Sequence, residues 1–207
     1  MIEIKGVSLE IKKKKILSDI NAGFGDGQIH GLVGRNGCGK TMLMKCICGF
    51  IHPTSGSIRV NEKLVGKEID FPQKLGVIIE TPNFIPYFSG YHNLKILSDY
   101  RHCIGKKEIY NVLETVGLAD VAKMAVRKYS LGMRQRLAIA QAVMEEPEIL
   151  VLDEPFNGLD REGVSEMRKV LLQLRDKGSN IVLSSHNEED IGILCSDVLH
   201  MENGKLI

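Results

Sequence analysis

An eight-residue stretch, GRNGCGKT from Gly34 to Thr41, combines the residue types that hold a chain of phosphates. Its glycines let the backbone wrap closely around an anion. The lysine and threonine that follow suit a terminal phosphate and a magnesium ion. Because the stretch follows the strand-like IHGLV and opens a helical pattern, it predicts a nucleoside triphosphate site. The candidate contacts are Gly34, Arg35, Asn36, Gly37, Cys38, Gly39, Lys40, Thr41 and Met42.

Three further candidates lie where two apolar runs end. EILVLDEP places Asp153 and Glu154 after one run, and NIVLSSH places His186 after another. A phosphate loop needs a magnesium-binding acid at the end of a neighbouring strand, and we expect Asp153 to be that acid. Glu154 can accept a proton from an attacking water, and His186 can contact the terminal phosphate. All three would lie at the carboxyl ends of strands, where open α/β sheets bind their ligands.

A second anion site is indicated by the segment KYSLGMRQRLAIAQAVMEEP, which runs from Lys128 to Pro147. Ser130 stands where a helix cap is expected, and Pro147 ends the apolar pattern. The free amides of a helix start attract anions, so Ser130 and Gly132 are candidates for another phosphate contact. An ordinary cap, worth about 1 kcal/mol, is the alternative role for Ser130, and both roles can coexist.

The order of the patterns predicts the fold. Alternating segments typical of strands fill roughly the first sixty residues, apart from a helix that opens inside the glycine loop. The continuous runs LVLD and IVLSS are typical of parallel strands that are covered on both faces. Helical patterns occupy the chain from Asn83 to Glu146 and return in REGVSEMRKVLLQLRDKG. The sequence therefore predicts a single domain, a parallel α/β core split by a helical insert.

Composition narrows the class of protein. The 207 residues include 27 Lys plus Arg and 26 Asp plus Glu, and this balance gives no electrostatic reason for a nucleic-acid partner. The five cysteines do not show disulfide or zinc spacing, which favours a reducing compartment. No apolar run approaches the roughly eighteen residues that span a bilayer. If the protein serves a membrane, we expect another chain to cross it.

The motifs GRNGCGKT, YSLGMRQRL and EILVLDEPFNGLD, followed by SSH, occur in the order and spacing of an ATP-binding cassette domain. The whole chain resembles the nucleotide-binding subunit of ABC transporters. This resemblance implies a P-loop NTPase core with an N-terminal antiparallel β portion and a helical subdomain at about residues 81–146. It implies ATP and Mg²⁺ as ligands, with Lys40, Glu154 and His186 catalytic and with Thr41 and Asp153 on the metal.

The resemblance also explains the two phosphate sites. In that family two cassettes meet head to tail, and each ATP lies between the phosphate loop of one chain and the signature helix of the other. Ser130 and Gly132 would then hold the partner's ATP, and Asp160 would lie in the loop that crosses the interface. A homodimer that forms with ATP is the expected assembly, although a pair of different cassettes is the alternative.

Two motifs depart from the family pattern. The signature, usually Leu-Ser-Gly-Gly-Gln, reads Tyr-Ser-Leu-Gly-Met from Tyr129 to Met133. The family glutamine that contacts magnesium is replaced by Glu80, which either binds the metal more directly or lowers activity until a partner docks. In having Glu80 and the GYHNL segment that follows, the chain is similar to cassettes that export peptide antibiotics such as bacitracin and lantibiotics.

Two smaller departures concern the nucleotide pocket. The aromatic residue that usually stacks on adenine is missing, and only Ile11 or the nearby lysine stems could support the base. The choice between ATP and GTP is therefore open. Cys38 lies inside the phosphate loop, where it is either a reactive thiol whose modification blocks the site or a small side chain that fills a tight loop.

The implied partners are transmembrane permease subunits on separate chains, with this chain cytoplasmic on the inner face of the membrane. The candidate docking surface consists of Phe84, Tyr87, Phe88 and Tyr91, although the same aromatics could pack the helical subdomain internally. One rival function is a soluble cassette ATPase that acts on DNA or ribosomes, but the chain lacks a coiled-coil insert and a second cassette. The other rival is a regulatory switch that binds ATP and hydrolyses it slowly.

Overall fold

A computed structural model describes residues 1–80 and 83–207. Its strands are β1 (Ile2–Ile11), β2 (Lys14–Phe24), β3 (Ile29–Val33), β4 (Ser55–Val60), β5 (Lys63–Leu64), β6 (Leu75–Ile78), β7 (Ile149–Asp153), β8 (Asn180–Ser184), β9 (Asp197–Glu202) and β10 (Lys205–Leu206). Its α-helices are α1 (Lys40–Ile47), α2 (Gly90–Arg101), α3 (Lys106–Thr115), α4 (Leu131–Val143), α5 (Arg161–Asp176) and α6 (Glu188–Leu194).

The strands form two sheets. The first is antiparallel with the order β2-β1-β4-β5, and the second has the order β10-β9-β3-β8-β7-β6. In the second sheet β9, β3, β8, β7 and β6 are parallel, and β10 pairs antiparallel at the edge. The predicted α/β class, with a mainly parallel sheet and an N-terminal antiparallel portion, is confirmed.

Two hydrophobic clusters explain why the central strands are continuously apolar. In β7, Ile149 and Val151 belong to the cluster that α1 and the antiparallel sheet share. Leu150 and Leu152 point the other way, into the cluster that includes α4 and α5. Because successive strand residues face opposite sides of a sheet, burial on both faces requires an unbroken apolar run.

The helices between β6 and β7 account for the change in pattern midway along the chain. In α4, Leu137, Ile139, Ala140 and Val143 are buried, as the apolar spacing predicts. The inserted helices α2, α3 and α4 belong to the same hydrophobic cluster as one face of the parallel sheet. The helical subdomain at about residues 81–146 stays a prediction, and its first residue, Thr81, lies outside the described residues.

The parallel register sets the position of the chemistry. Strands β3, β7 and β8 are neighbours that run in the same direction, so their carboxyl ends meet at one edge. Asp153 pairs in register with Ser184, and Leu32, just before the glycine loop, pairs with the same serine. The sheet therefore brings the segments that follow β3, β7 and β8 close together at its carboxyl edge.

Burial determines the state of two of the cysteine thiols. All five cysteines are free thiols, and burial raises the pKa of Cys46 to about 11 and that of Cys48 to about 12. Both thiols are therefore protonated and unreactive near neutral pH. Within residues 1–80 and 83–207, no helix has the length and apolar character needed to cross a membrane.

Candidate functional site

The glycine loop joins β3 to α1 in a conformation that only glycine adopts easily. Gly34 and Gly39 have φ values of 154° and 115°, and a Cβ on Gly34 would lie 2.2 Å from the carbonyl oxygen of Met201. Gly39 is the N-cap of α1 and has no side chain to occupy the first amides of the helix. The Lys40 ammonium lies over the loop and donates to the Gly34 oxygen at 2.7 Å. This arrangement leaves a helix start open to an anion.

Two hydroxyl groups converge on the Asp153 carboxylate. Thr41 Oγ1 donates to Asp153 Oδ2 at 2.5 Å, and Ser184 Oγ donates to Asp153 Oδ1 at 2.5 Å. Ser184 is fully buried and was not among the predicted site residues. The hydroxyl at the end of an apolar strand, two residues before His186, is the signal that could have identified it.

Glu154 and His186 come together beside Asp153. His186 Nδ1 lies 2.8 Å from Glu154 Oε2, and the Glu154 amide donates to Ser184 Oγ at 3.1 Å. Glu154 has a φ of 51°, in the left-handed region, so its side chain leaves the strand in a different direction from that of Asp153. The structure thus brings the predicted proton acceptor and the predicted histidine into direct contact.

Asp153 and Glu154 border a cavity of about 320 Å³ at the carboxyl edge of the sheet. Its size is within the range of small-molecule sites. The lining residues are Ile16, Asn36, Gly37, Gly39, Lys40, Thr41, Met42, Asp153 and Glu154. A larger cleft, of about 410 Å³, lies at α3 and α5 and contains none of them. The smaller cavity is the candidate site because it holds the phosphate loop and the carboxylates.

A hard divalent cation such as Mg²⁺ fits the donor set at this edge. Thr41 and Asp153 offer a hydroxyl and a carboxylate oxygen, and magnesium usually takes one or two protein ligands together with waters and substrate phosphates. Within the described part of the chain, no group of three His, Cys, Asp or Glu residues could hold a metal by itself. The site therefore suits a cation that arrives with a nucleotide.

Glu80 stands apart from the other predicted metal ligands. Its carboxylate contacts the Lys45 ammonium, with Lys45 Nζ 2.5 Å from Glu80 Oε1. Lys45 lies one helical turn beyond Thr41 on α1, and like Glu80 it is not among the residues that line the cavity.

Some of the predicted contacts in the glycine loop line the cavity, and others do not. Neither Arg35 nor Cys38 lines the cavity. Cys38 is buried, and its Sγ lies 2.8 Å from the place of a Cβ on Gly34, so its side chain packs inside the loop. The interpretation of Cys38 as a filler is favoured over a reachable thiol. For the base, Ile16 lines the cavity and Ile11 does not.

The second helix start lies elsewhere on the chain. Ser130 is the exposed N-cap of α4, and its Oγ accepts from the Met133 amide at 3.1 Å. Asp160 is likewise the N-cap of α5, where Oδ1 accepts from the Gly163 amide at 2.9 Å. Neither residue lines the phosphate cavity, and neither does Gly132. A single chain therefore presents the two predicted phosphate sites separately.

Gln135 links the signature helix α4 to the segment that follows β7. Its Nε2 donates to the Pro155 carbonyl oxygen at 2.6 Å, in a buried contact one residue beyond Glu154. Gln135 lies within the motif YSLGMRQRL, whose local pattern predicts no contact for it. The two partners are 20 residues apart, which local pattern cannot bridge.

The parallel sheet, the glycine loop and the acidic strand end together define a P-loop nucleotide-binding domain. A family model described as ABC transporter matches residues 17–157, and the chain belongs to this family. It is an ATP-binding subunit of the family, whose members hydrolyse ATP and act with transmembrane subunits.

Similar proteins cover the whole chain. The ABC transporter ATP-binding protein YybJ of Bacillus subtilis is 43% identical over 206 residues, covering 100% of this chain and 94% of its own length. The bacitracin transport ATP-binding protein BcrA of Enterococcus faecalis is 39% identical, covering 100% of this chain and 68% of its own length. A solved ATP-binding subunit of an ABC transporter superposes with a TM-score of 0.89 at 25% identity, covering 100% of this chain and 88% of that chain.

Replacement of Ser184 by alanine tests how Asp153 is oriented. We expect Ser184→Ala to weaken the apparent Mg²⁺ affinity measured with ATP by about tenfold to a hundredfold, because partners that orient a metal ligand typically have this effect. The measurement is a magnesium titration of ATP binding. Ser179→Ala is the matched control, because Ser179 Oγ also makes a buried bond, to the Pro147 oxygen, at the other end of β8. Equal magnesium affinity in both variants would contradict the role of Ser184.

Proposed function

We propose that this chain hydrolyses ATP in a two-chain assembly that drives a separate membrane exporter. The observation that carries the proposal is the cluster at the carboxyl edge of the sheet. There Asp153 contacts Thr41 and Ser184, while Glu154 contacts His186. Each group has a place in phosphoryl transfer, where catalysis depends mainly on positioning and charge stabilisation.

The geometry supports a role for each of these groups. The amides of the glycine loop and the Lys40 ammonium bind the terminal phosphates, and Thr41 with Asp153 would hold Mg²⁺. The ion, when bound, offsets the negative charge that develops on the transferred phosphoryl group. Glu154 takes the proton from the attacking water, a contribution of roughly a hundredfold to ten-thousandfold. His186, in contact with Glu154, orients that carboxylate.

Pairing of two chains supplies the second phosphate contact. Ser130 is exposed at a helix start and lies outside the cavity of its own chain. We infer that Ser130 and Gly132 hold the ATP bound at the phosphate loop of a partner cassette, in a homodimer, and that Asp160 lies at the interface. The Ser130 cap supports this role because it shapes the helix start and leaves the serine exposed.

The surface that meets the membrane subunits is proposed on the segment after Glu80. Of the four predicted docking residues, Tyr87 and Phe88 are 74% and 46% exposed. Phe84 and Tyr91 pack against the hydrophobic cluster instead, and Tyr91 stacks on Tyr110 with the ring centroids 4.9 Å apart. The docking surface is therefore reduced to Tyr87 and Phe88.

Backbone hydrogen bonds connect this docking segment to the signature helix. The Arg127 amide donates to the Pro86 oxygen at 2.8 Å, and the Val126 amide donates to the Phe88 oxygen at 2.9 Å. Three residues after Arg127 the chain reaches Ser130, the N-cap of α4. A displacement of the docking segment by a membrane subunit would thus be transmitted to the phosphate contact.

The proposal also covers the location of the chain and the class of molecule that is transported. We propose that the chain lies in the cytoplasm against the inner face of the cell membrane, where permease subunits dock. The similarity to BcrA, which is named for bacitracin transport, supports a peptide antibiotic as the cargo class and export as the direction. A regulatory switch with slow hydrolysis is less well supported, because Glu154 and His186 are in contact.

Association driven by ATP is the direct test of the two-chain site. In Glu154→Gln, which binds ATP but lacks the proton acceptor, we expect light scattering to show monomers without nucleotide and dimers with ATP and Mg²⁺. Adding Lys40→Ala removes a phosphate contact and should abolish the shift. Binding of ATP by Glu154→Gln with no change in mass would contradict a homodimer.

The charge of Glu80 gives a second test. We expect Glu80→Gln to tighten ATP binding by roughly threefold or more at low salt, because a negative charge near the phosphates is removed, and the gain should shrink at high salt. The measurement is calorimetric titration with ATP and Mg²⁺. Glu148→Gln is the matched control, since Glu148 also pairs with a lysine, Lys74, at 2.8 Å, but just before the amino ends of β6 and β7. An unchanged ATP affinity and magnesium dependence would contradict a role for Glu80.

A further inference from the structure

His186 is a catalytic candidate with little packing of its own. Its side chain is 72% exposed, and its Nδ1 contacts Glu154 Oε2 at 2.8 Å. A side chain this exposed gains little orientation from neighbouring atoms. The position of the imidazole must therefore depend largely on the backbone that carries it, between Ser185 and Asn187.

That backbone is fixed by a buried serine. Ser185 Oγ accepts a hydrogen bond from the Asn187 amide at 3.1 Å, which closes a tight turn around His186. The same hydroxyl donates to Asp190 Oδ2 at 2.9 Å. Ser185 thus ties the residue after His186 to the first turn of α6.

Asp190 is in turn held by a cation on a different helix. Asp190 Oδ1 accepts from Arg168 Nε at 2.9 Å and from Arg168 Nη2 at 2.5 Å. The two side chains are only 4% and 11% exposed. Arg168 lies on α5, and its Nη1 also contacts Glu189 at 3.1 Å.

Burial of an ion pair carries a desolvation cost, because both charged groups lose their contacts with water. Apolar residues of similar volume packed between the two helices often stabilise a fold equally well. This ion pair fixes the orientation of the Asp190 carboxylate. The Arg168 guanidinium binds Oδ1 and leaves Oδ2 to accept from Ser185. Both oxygens of Asp190 are thereby used, and the chain of bonds ends at the turn that carries His186.

We propose that Arg168, Asp190 and Ser185 are positioning residues that hold His186 against Glu154 for ATP hydrolysis. The proposal rests on the proposed role of His186. It concerns the place of the imidazole, and none of the three residues lines the nucleotide cavity.

Ser185→Ala is the test, since it removes one hydroxyl and keeps the buried ion pair. We expect kcat for ATP hydrolysis to fall roughly tenfold or more, because small displacements of a catalytic group have effects of this size. KM for ATP should change less than about twofold, because no contact with the nucleotide is lost. Introduced into His186→Ala, the same substitution should have no additional effect on kcat. Ser179→Ala is the control for loss of a buried serine hydroxyl.

A measurement on the free protein keeps the proposal separate from the catalytic assignment. The Cε1–H resonance of His186, assigned by its loss in His186→Ala, should shift in Ser185→Ala and stay in place in Ser179→Ala. A resonance unmoved by Ser185→Ala would overturn the positioning role, as would an equal loss of kcat in the presence and absence of His186. If His186→Ala itself keeps full kcat, the proposed function of His186 fails, while the shifted resonance still shows the positioning contact.

Discussion

The hydrogen-bonded carboxylate of Asp153 is the interaction on which the rest of the site depends. One oxygen accepts from Thr41 on α1 and the other from Ser184 on β8, each at 2.5 Å. These two bonds join the helix after the phosphate loop to two neighbouring strands. Hydrogen bonds to an ionised group are the strong ones, and the apolar strands below hold the donors in register. Glu154 follows immediately, and its amide bonds to the same serine.

A second constraint is that the two predicted anion sites lie apart on a single chain. The phosphate loop opens at the edge of the parallel sheet, whereas Ser130 begins α4 outside that cavity. The signature helix α4 is nevertheless joined to the segment after β7 through the bond from Gln135 to Pro155. The turn just before α4 is joined to the proposed docking segment through the backbone bonds of Val126 and Arg127. This turn therefore connects the proposed docking surface with the start of α4, where the proposed phosphate contact lies.

The sequence predicted the parts of the site that local pattern encodes. Asp153, Glu154 and His186 are predicted site residues because they lie at the ends of continuous apolar runs, and these runs form parallel strands whose ends meet at one edge. The glycine loop was identified because its spacing and its context of strand and helix are specific.

Other parts depend on tertiary contacts that local pattern does not encode. Ser184 and Gln135 act on partners 31 and 20 residues away, and Lys45 meets Glu80 across 35 residues. The aromatic residues after Glu80 show the same limit, since only packing decides that Tyr91 is covered and Tyr87 is exposed. Tyr87 and Tyr91 are the same residue type, so hydrophobicity alone does not predict which of them is exposed.

The central claim is that each ATP is held by two chains. It is tested most directly by mixing two variants, both carrying Glu154→Gln, one with Lys40→Ala and the other with Ser130→Leu. Either variant alone has a defect in both composite sites, whereas a mixed pair has one intact site. The measurement is light scattering with ATP and Mg²⁺. The account predicts dimers in the mixture and monomers in each variant alone. Dimers of the Ser130→Leu variant alone, or no dimers in the mixture, would contradict it.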